Sequence, residues 1–328
     1  MTSRGSRPVQ PNPRSQRISR LQQAMLLLLV LSFTRASFAW GRHGHEMINQ
    51  LAITSLPEDV PAFLRNGGAH DAMGYYAPEP DRWGSPLEPE LKNAQEPDHF
   101  LSMEWSDLLG DLPRDRYDYV RALAREQVKH PELTLKAEDV GTQPYQANEL
   151  WERLKVAMRQ YRALTAANED TKPVEAEIIF LAGWLGHYVG DGSQPLHTTY
   201  RYNGWLDANP NGYTTSRQTH SMFESAYVQA NLNESDVRPM IAVTPEVVTN
   251  VFRDYIAYLK QSHSLYERVY QIEKAGGFKE QGSVEAKEFT ARRLAAGATE
   301  LRNLIYTAWI RSADALPQRK RNASPQKP

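Results

Sequence analysis

Two histidine–carboxylate pairs, each with a spacing of four residues, are the most chemically suggestive feature of this sequence. His187 precedes Asp191, and His220 precedes Glu224. On a helix this spacing places both side chains on one face, one turn apart. Imidazole with carboxylate is the ligand set that zinc prefers in hydrolytic sites. The pairs therefore predict metal binding, and their number indicates more than one ion.

The run GDGSQPLH, residues 190–197, begins three residues after the first histidine. Its glycines and its proline are residues typical of turns, so they predict that the helix bends after residue 189. The bend would return His197 to the place where the first pair lies. The sequence thus predicts a third histidine ligand close to the other two pairs.

The first 39 residues have the three parts of a secretory signal peptide. Six arginines and no acidic residue occur in this stretch, and an apolar run of about ten residues occupies positions 24–33. Small residues at Ser37 and Ala39 form a cleavage site for signal peptidase. A spanning helix needs about 20 apolar residues, so an uncleaved anchor is the less favoured interpretation. We predict cleavage after Ala39 and a secreted or periplasmic protein.

Cleavage after Ala39 would make Trp40 the first residue of the mature chain. Its free α-amine is a nitrogen that can bind metal once deprotonated. His45 follows five residues later, in the sequence WGRHGH. Trp40 and His45 are therefore predicted to form a third group of ligands.

Composition limits the classes of protein to which the chain can belong. The chain has 328 residues, 41% of them hydrophobic, and no cysteine, so its stability must come from packing and metals without disulfides. Without residues 1–39, 32 basic residues stand against 39 acidic ones. This acidity argues against a protein that coats duplex DNA, but bound metal ions would supply local positive charge. A metal-dependent phosphodiesterase thus remains compatible.

The periodicity of apolar residues predicts an all-α protein without strands. We expect a single, mainly helical domain over residues 40–316 and a basic, disordered tail over 317–328. Long irregular loops over residues 57–115, rich in Pro, Gly and Asp, and a polar loop over 198–218 are expected to surround the site. The predicted helices span residues 46–56, 116–130, 144–167, 173–189, 220–229, 244–273 and 286–313.

These motifs occur in an order that we recognise. From Trp40 to Trp309, the chain resembles the zinc-dependent single-strand-specific nucleases of moulds and plants, the S-one/P-one type. It also resembles the related zinc-dependent phospholipases C of bacteria. The run 190–197 is the most specific part of the resemblance, and the other motifs support it mainly through their order. The resemblance implies a helical fold with long loops around a trinuclear zinc cleft.

The resemblance implies three zinc ions per chain, held by nine residues. Trp40 and His45 would hold one ion, and Asp191 would bridge it to a second. The loop acid is Asp81 by position, with Asp71 and Asp98 as alternatives. The full ligand set implied is Trp40, His45, Asp81, His99, His187, Asp191, His197, His220 and Glu224.

The implied activity is hydrolysis of phosphodiester bonds in single-stranded DNA and RNA, to 5′-phosphate products, through zinc-bound hydroxide. Asp191 would link the two ions and Asp81 would orient the attacking water. Phe100 would stack on a base, and Asn203, with its neighbours Tyr202 and Trp205, would line the groove. No stable protein partner is implied, and we expect a monomer.

Departures from the nuclease pattern leave other functions open. Glu224 is the choice of the phospholipases, and Ser102 stands where nucleases usually have an acid for base recognition. The arginine expected three residues after the loop acid is absent, with Arg82 the nearest substitute. The short spacing from Trp40 to His45 is the nuclease form. A phospholipase C that cleaves phospholipid headgroups is the alternative, and a zinc-holding protein without activity is a third possibility.

Overall fold

The computed structural model describes residues 40–315, and within this range every regular element is helical. The all-α fold class is thereby confirmed. The predicted leader over 1–39, its cleavage after Ala39 and the predicted tail over 317–328 lie outside the described residues. The α-helices are α1 Gly41–Thr54, α2 Gly67–Tyr76, α3 Glu79–Trp83, α4 Pro89–Gln95, α5 Met103–Ser106, α6 Arg116–Lys129, α7 Ala137–Val140, α8 Gln143–Ala167, α9 Lys172–Ser193, α10 Thr219–Ser221, α11 Val228–Asn231, α12 Glu234–Val237, α13 Val251–His263, α14 Tyr266–Lys274 and α15 Val284–Arg311.

Helix α9 lies at the centre of the domain and packs against α1, α2, α8, α13 and α15. It is apolar on most sides, as a central helix should be, with Ile178, Leu185 and Val189 fully buried. The predicted bend after residue 189 is wrong, because α9 continues to Ser193. Both members of the first histidine–carboxylate pair therefore lie on one continuous helix.

The two glycines at the end of α9 permit close packing, and the chain turns only afterwards. A Cβ atom at Gly190 would lie 2.9 Å from Nδ1 of His45, and one at Gly192 would lie 2.8 Å from Cε1 of Tyr258. Neither contact leaves room for a side chain. The turn follows at Gln194, where the three-ten segment Pro195–Thr198 begins.

Helix α1 begins at Gly41, five residues earlier than predicted, and Asn49 on its buried face connects it to two other helices. The amide nitrogen of Asn49 donates to the carbonyl oxygens of Met73 on α2 (3.2 Å) and Gly183 on α9 (2.9 Å). Buried polar groups need such partners, so these bonds fix how the three helices meet. This junction positions α1, which carries His45, against α9, which carries His187 and Asp191.

The irregular loop predicted over residues 57–115 is instead a series of short helices. Asn66 caps α2 by accepting a hydrogen bond from the backbone N–H of Ala69. Pro80 and Pro89 lie in the first turns of α3 and α4, where proline is well tolerated because its missing N–H would be unpaired anyway. The prolines and polar residues that predicted a loop therefore start helices here.

The helix predicted over residues 244–273 is two helices, α13 and α14. Asn250, and not Thr244, caps the first of them, by accepting a bond from the N–H of Arg253. Residue Thr244 instead accepts a bond at its carbonyl oxygen from Arg302 on α15.

Within residues 40–315, no helix is long and apolar enough to cross a membrane.

Candidate metal centre

Asp191, near the end of α9, is fully buried and directs its two carboxylate oxygens to different histidines. Its Oδ1 lies 3.3 Å from Nε2 of His45 on α1. Its Oδ2 lies 3.1 Å from Nδ1 of His99 and 3.5 Å from Nε2 of His187. A carboxylate with this arrangement is suited to bridge two metal ions.

The acid at this centre is Asp81, one of the three loop acids considered from the sequence. Its Oδ1 lies 3.5 Å from Nε2 of His187, and the ligand atoms of His45, Asp81 and His187 lie within 4.8 Å of one another. Asp98 instead accepts bonds from Arg116 and Thr142. The remaining alternative, Asp71, is exposed beside His70.

A third group of ligand atoms comes from two neighbouring segments of the chain. His197 lies in the three-ten segment after α9, and His220 lies on α10. Their Nε2 atoms are 3.0 Å apart, and Oε2 of Glu224 lies 2.7 Å from Nε2 of His220. Glu224 lies in a π-helical turn, Met222–Tyr227, that joins α10 to α11. Such turns often occur at functional sites.

The hydrogen bonds of the histidines determine which ring nitrogen faces the centre. Because a backbone carbonyl can only accept, a histidine that bonds one through Nδ1 carries its proton there and presents the lone pair of Nε2. Three histidines of the centre bond a carbonyl in this way: His187 to Ala77 (2.8 Å), His197 to His99 (2.8 Å) and His220 to Tyr202 (3.1 Å).

This arrangement fits a bound cation. Nε2 of His197 and Nε2 of His220 face each other at 3.0 Å, so at least one of them must be paired with a proton or a metal ion. Buried polar atoms without a hydrogen-bond partner are costly in a folded protein, and metal coordination would satisfy them. Around the centre these atoms are Nε2 of His45, Oδ2 of Asp81, Oδ1 of Asp191 and Oε1 of Glu224.

The same burial and mutual proximity shift the pKa values of the group. Burial, together with the nearby Asp191, raises the pKa of Asp81. Burial acts to raise the pKa of Asp191 as well, but the charges of His187 and His197 outweigh it and lower that pKa. Burial lowers the pKa of His187. Burial alone would lower the pKa of His197 as well, but the negative charges of Asp191 and Glu224 outweigh it and raise that pKa to about 9.

Trp40 lies beside the centre and is fully buried. Its indole Nε1 donates to Oγ of Ser193 at the end of α9 (2.7 Å), and its carbonyl oxygen accepts from the N–H of Gly44 (3.1 Å). These bonds place the backbone of Trp40 at the start of the helix that carries His45. The prediction that its amine binds metal depends on the cleavage after Ala39, outside the described residues.

The predicted substrate residues are placed as follows. Phe100 is half-buried and extended directly after His99. The side-chain oxygen of Asn203 accepts a bond from the N–H of His220 (3.4 Å), so the amide nitrogen is the part that can face a substrate. Tyr202 is 51% exposed beside His220. Trp205 packs among tyrosines of its own loop and of α14, which argues against its predicted place in a groove.

Two glutamines contact predicted ligands and were missed from the sequence. Oε1 of Gln95 accepts from Nε2 of His99 (2.8 Å). Gln194 accepts a bond from the N–H of Leu196 (2.6 Å) and donates to Oε2 of Glu224 (3.1 Å). The spacing of four residues between Gln95 and His99 was the available signal for the first of them.

The fold and the three ligand groups define an all-α protein with the geometry of a multinuclear metal centre. No protein-family model matches the chain, and neither does any curated protein. A solved structure similar to it is the alpha-toxin of Clostridium perfringens, isolated from the avian strain SWCP, at 14% identity and a TM-score of 0.37. The match covers 81% of this chain and 63% of the toxin chain, so this chain spans less than two thirds of that protein.

Proposed function

We propose that this chain is a zinc-dependent phosphodiesterase, and more specifically an endonuclease that hydrolyses single-stranded DNA and RNA to 5′-phosphate products. The observation that carries the proposal is the convergence of buried, unpartnered carboxylate oxygens and imidazole lone pairs at the three groups around Asp191 and Glu224. Such a donor set fits zinc ions. Without bound ions, several of these buried nitrogen and oxygen atoms have no hydrogen-bond partner.

Nine residues would hold the metal. Trp40 and His45 would bind one ion, Asp191 would connect it to a second, and Glu224 would serve the third. Zinc, when bound, lowers the pKa of a coordinated water to about 7 and neutralises negative charge on a phosphate. The complete proposed ligand set is Trp40, His45, Asp81, His99, His187, Asp191, His197, His220 and Glu224.

The side chains of this centre would hold and orient the reactants. Asp191 faces two ligand groups at once, so it fixes the separation between them. Oδ2 of Asp81 is buried without a partner beside His187, where it would accept a hydrogen bond from the attacking water and aim the water's lone pair at phosphorus. Phosphodiester hydrolysis needs this positioning because the anionic substrate repels a nucleophile.

A preference for single strands is supported by the residue next to the ligand His99. Phe100 follows it directly, and an aromatic face stacks on any base with a gain of about 1–3 kcal/mol. Bases in a duplex are already stacked and do not offer that face. Asn203, held beside His220 through its oxygen, would donate its amide N–H to a phosphate or a base.

A second candidate function is cleavage of phospholipid headgroups by a phospholipase C. Glu224 favours it through the resemblance described above. Exposed apolar side chains on the segment around Asp81 also favour it, since they suit contact with a lipid surface: Tyr75 is 61% exposed, Leu87 82% and Leu91 46%. The nuclease is preferred because of the short Trp40–His45 spacing and the aromatic ring of Phe100 beside the centre.

The location and assembly state are parts of the same proposal. The leader predicted over residues 1–39 supports export to a periplasm or the cell exterior. We propose a monomer, with nucleic acid as its partner and no other stable one.

The test is an assay of the zinc-loaded protein on single-stranded DNA, duplex DNA, RNA and phosphatidylcholine vesicles. We expect 5′-phosphate nucleotides from the single strands, and no activity after chelation or in Asp191→Asn. Asp71→Asn, which changes an exposed acid, is the matched control and should be fully active. Cleavage of phosphatidylcholine alone would favour the second candidate. Bound zinc without turnover of any substrate would refute both enzymatic proposals.

A further inference from the structure

His99 faces the metal centre with the opposite ring nitrogen from its neighbours. Its Nδ1 lies 3.1 Å from Oδ2 of Asp191 and 3.0 Å from Nε2 of His187. Its Nε2 points away and lies 2.8 Å from Oε1 of Gln95. In His187, by contrast, Nε2 faces the centre and Nδ1 is bonded to a backbone carbonyl.

We infer that Gln95 is a positioning residue that selects the tautomer and orientation of His99 for metal binding; the inference rests on the proposed metal-dependent function. An amide oxygen only accepts hydrogen bonds, so it holds the proton of His99 on Nε2. The lone pair of Nδ1 is then directed at Asp191 and the centre. At His187, His197 and His220 a backbone carbonyl holds the outer ring nitrogen, and at His99 a side chain takes that place.

The local fold makes this contact possible. Helix α4 ends at Gln95, and the three-ten turn Glu96–His99 follows without interruption. Gln95 and His99 are therefore four residues apart on adjoining helical turns, a spacing at which side chains meet. The intervening Asp98 cannot replace Gln95, because its carboxylate is bonded to Arg116 and Thr142.

The other tautomer of His99 would compete directly with metal. With its proton on Nδ1, His99 would donate to Oδ2 of Asp191 across the observed 3.1 Å. That bond would satisfy the two side chains and occupy two ligand atoms at once. Gln95 disfavours this metal-free state, since in that state its amide would have to rotate and present its NH₂ group to Nε2 in place of the oxygen.

The expected size of the effect is that of other residues that orient metal-ligating histidines. Their loss typically lowers metal affinity by about 10- to 100-fold. Gln95→Leu keeps the approximate size of the side chain and removes the acceptor. Gln95→Glu keeps an acceptor oxygen in the same place and should restore both the tautomer and the affinity.

Two measurements on the full chain test the inference. The first is the tautomer of His99 in the zinc-free protein, from long-range proton–nitrogen correlations of ¹⁵N-histidine-labelled samples at alkaline pH. The signals of His99 are those lost in His99→Asn. The second is zinc affinity by competition with a chromogenic chelator. Asn93→Leu, on the exposed side of the same helix, is the matched control.

We expect the proton of His99 on Nε2 in the wild type and in Gln95→Glu, and a mixture of tautomers in Gln95→Leu, with zinc affinity about 10-fold lower. Asn93→Leu should match the wild type. A proton on Nδ1 in the wild type would overturn the inference without any variant. Unchanged tautomer and affinity in a folded Gln95→Leu would also overturn it.

The two proposals fail in different ways. If the wild type binds no zinc, the proposed function is refuted, and the tautomer in the zinc-free protein still decides whether Gln95 orients His99. If the wild type binds zinc and cleaves its substrate while Gln95→Leu matches it in tautomer and affinity, only the inference about Gln95 is refuted.

Discussion

Substitution of Asp191 and substitution of Glu224 should remove different numbers of zinc ions. Oδ1 of Asp191 faces His45 and Oδ2 faces His99 and His187, so its negative charge serves two ligand groups. Glu224 contacts only the third group. We therefore expect Asp191→Asn to lower the content from three ions to one, and Glu224→Gln to lower it from three to two.

The physical reason is that an amide replaces an anion by a neutral group of the same shape. Asparagine at position 191 would present a neutral oxygen, which is a weak metal ligand, to one of the two ligand groups and an NH₂ group to the other. That NH₂ would donate to the imidazole lone pair that the metal needs, as at His187. Glutamine at position 224 would do the same between His197 and His220, without touching the groups around Asp191.

The assay is elemental mass spectrometry of each protein after dialysis against buffered zinc at a concentration that just saturates the wild type. Asp71→Asn is the control for the loss of a negative charge, because Asp71 is exposed and its ion-pair partner is His70, which is not a predicted ligand. Equal losses in Asp191→Asn and Glu224→Gln would refute the division into a bridged pair and a separate site. Retention of all ions in Asp191→Asn would refute the bridge itself.

Three other results are expected. Phe100→Ala should raise the Michaelis constant for single-stranded DNA by about 5- to 150-fold, the equivalent of one lost base stack, in steady-state kinetics. Gly141→Ala should lower the free energy of unfolding in urea by more than about 2 kcal/mol. The reason is that Gly141 has a φ of 98° and the added Cβ would lie 2.0 Å from the carbonyl oxygen of Phe100. The control Gly67→Ala, whose Cβ would enter open space, should change that free energy by less than about 1 kcal/mol. Glu300→Gln should stabilise the protein above pH 7 and much less near pH 4.5, also measured in urea. Burial, reinforced by two nearby acids, raises the pKa of Glu300 from 4.5 to about 7, so the folded state favours the protonated form and loses stability as the pH rises through that interval.

Each of these results has a clear contrary outcome. An unchanged Michaelis constant in Phe100→Ala would remove the stacking role. Equal stability of the two glycine variants would show that the segment around Gly141 can rearrange. A stability difference between Glu300→Gln and the wild type that does not depend on pH would show that Glu300 ionises normally in the folded protein.

The sequence predicted correctly those elements whose structure depends on residues that are close together in the chain. Helix α9 has 22 residues and is apolar on most sides, so its central place follows from composition alone. The four-residue spacings of His187 with Asp191 and of His220 with Glu224 correctly placed each pair on one helical face. In both cases the signal lies within a single turn or a single helix.

Other features depend on contacts between distant residues, and these were missed. Gly190 and Gly192 were interpreted as a bend because nothing in the sequence shows that His45 and Tyr258 pack against them. Asp81 was preferred by its position in the sequence, but the sequence alone left Asp98 open as an alternative. The contact of Asp81 with His187 and the bonds of Asp98 with Arg116 and Thr142 are tertiary and distinguish the two acids.

The most direct test of a multinuclear zinc centre is anomalous diffraction at the zinc absorption edge from crystals of the zinc-loaded protein. We predict three peaks, two of them on either side of the Asp191 carboxylate and one between His197, His220 and Glu224. Each should lie about 2.0–2.2 Å from its ligand nitrogen and oxygen atoms. Fewer than two peaks at these residues, or peaks confined to other sites such as His70 and Asp71, would contradict the account.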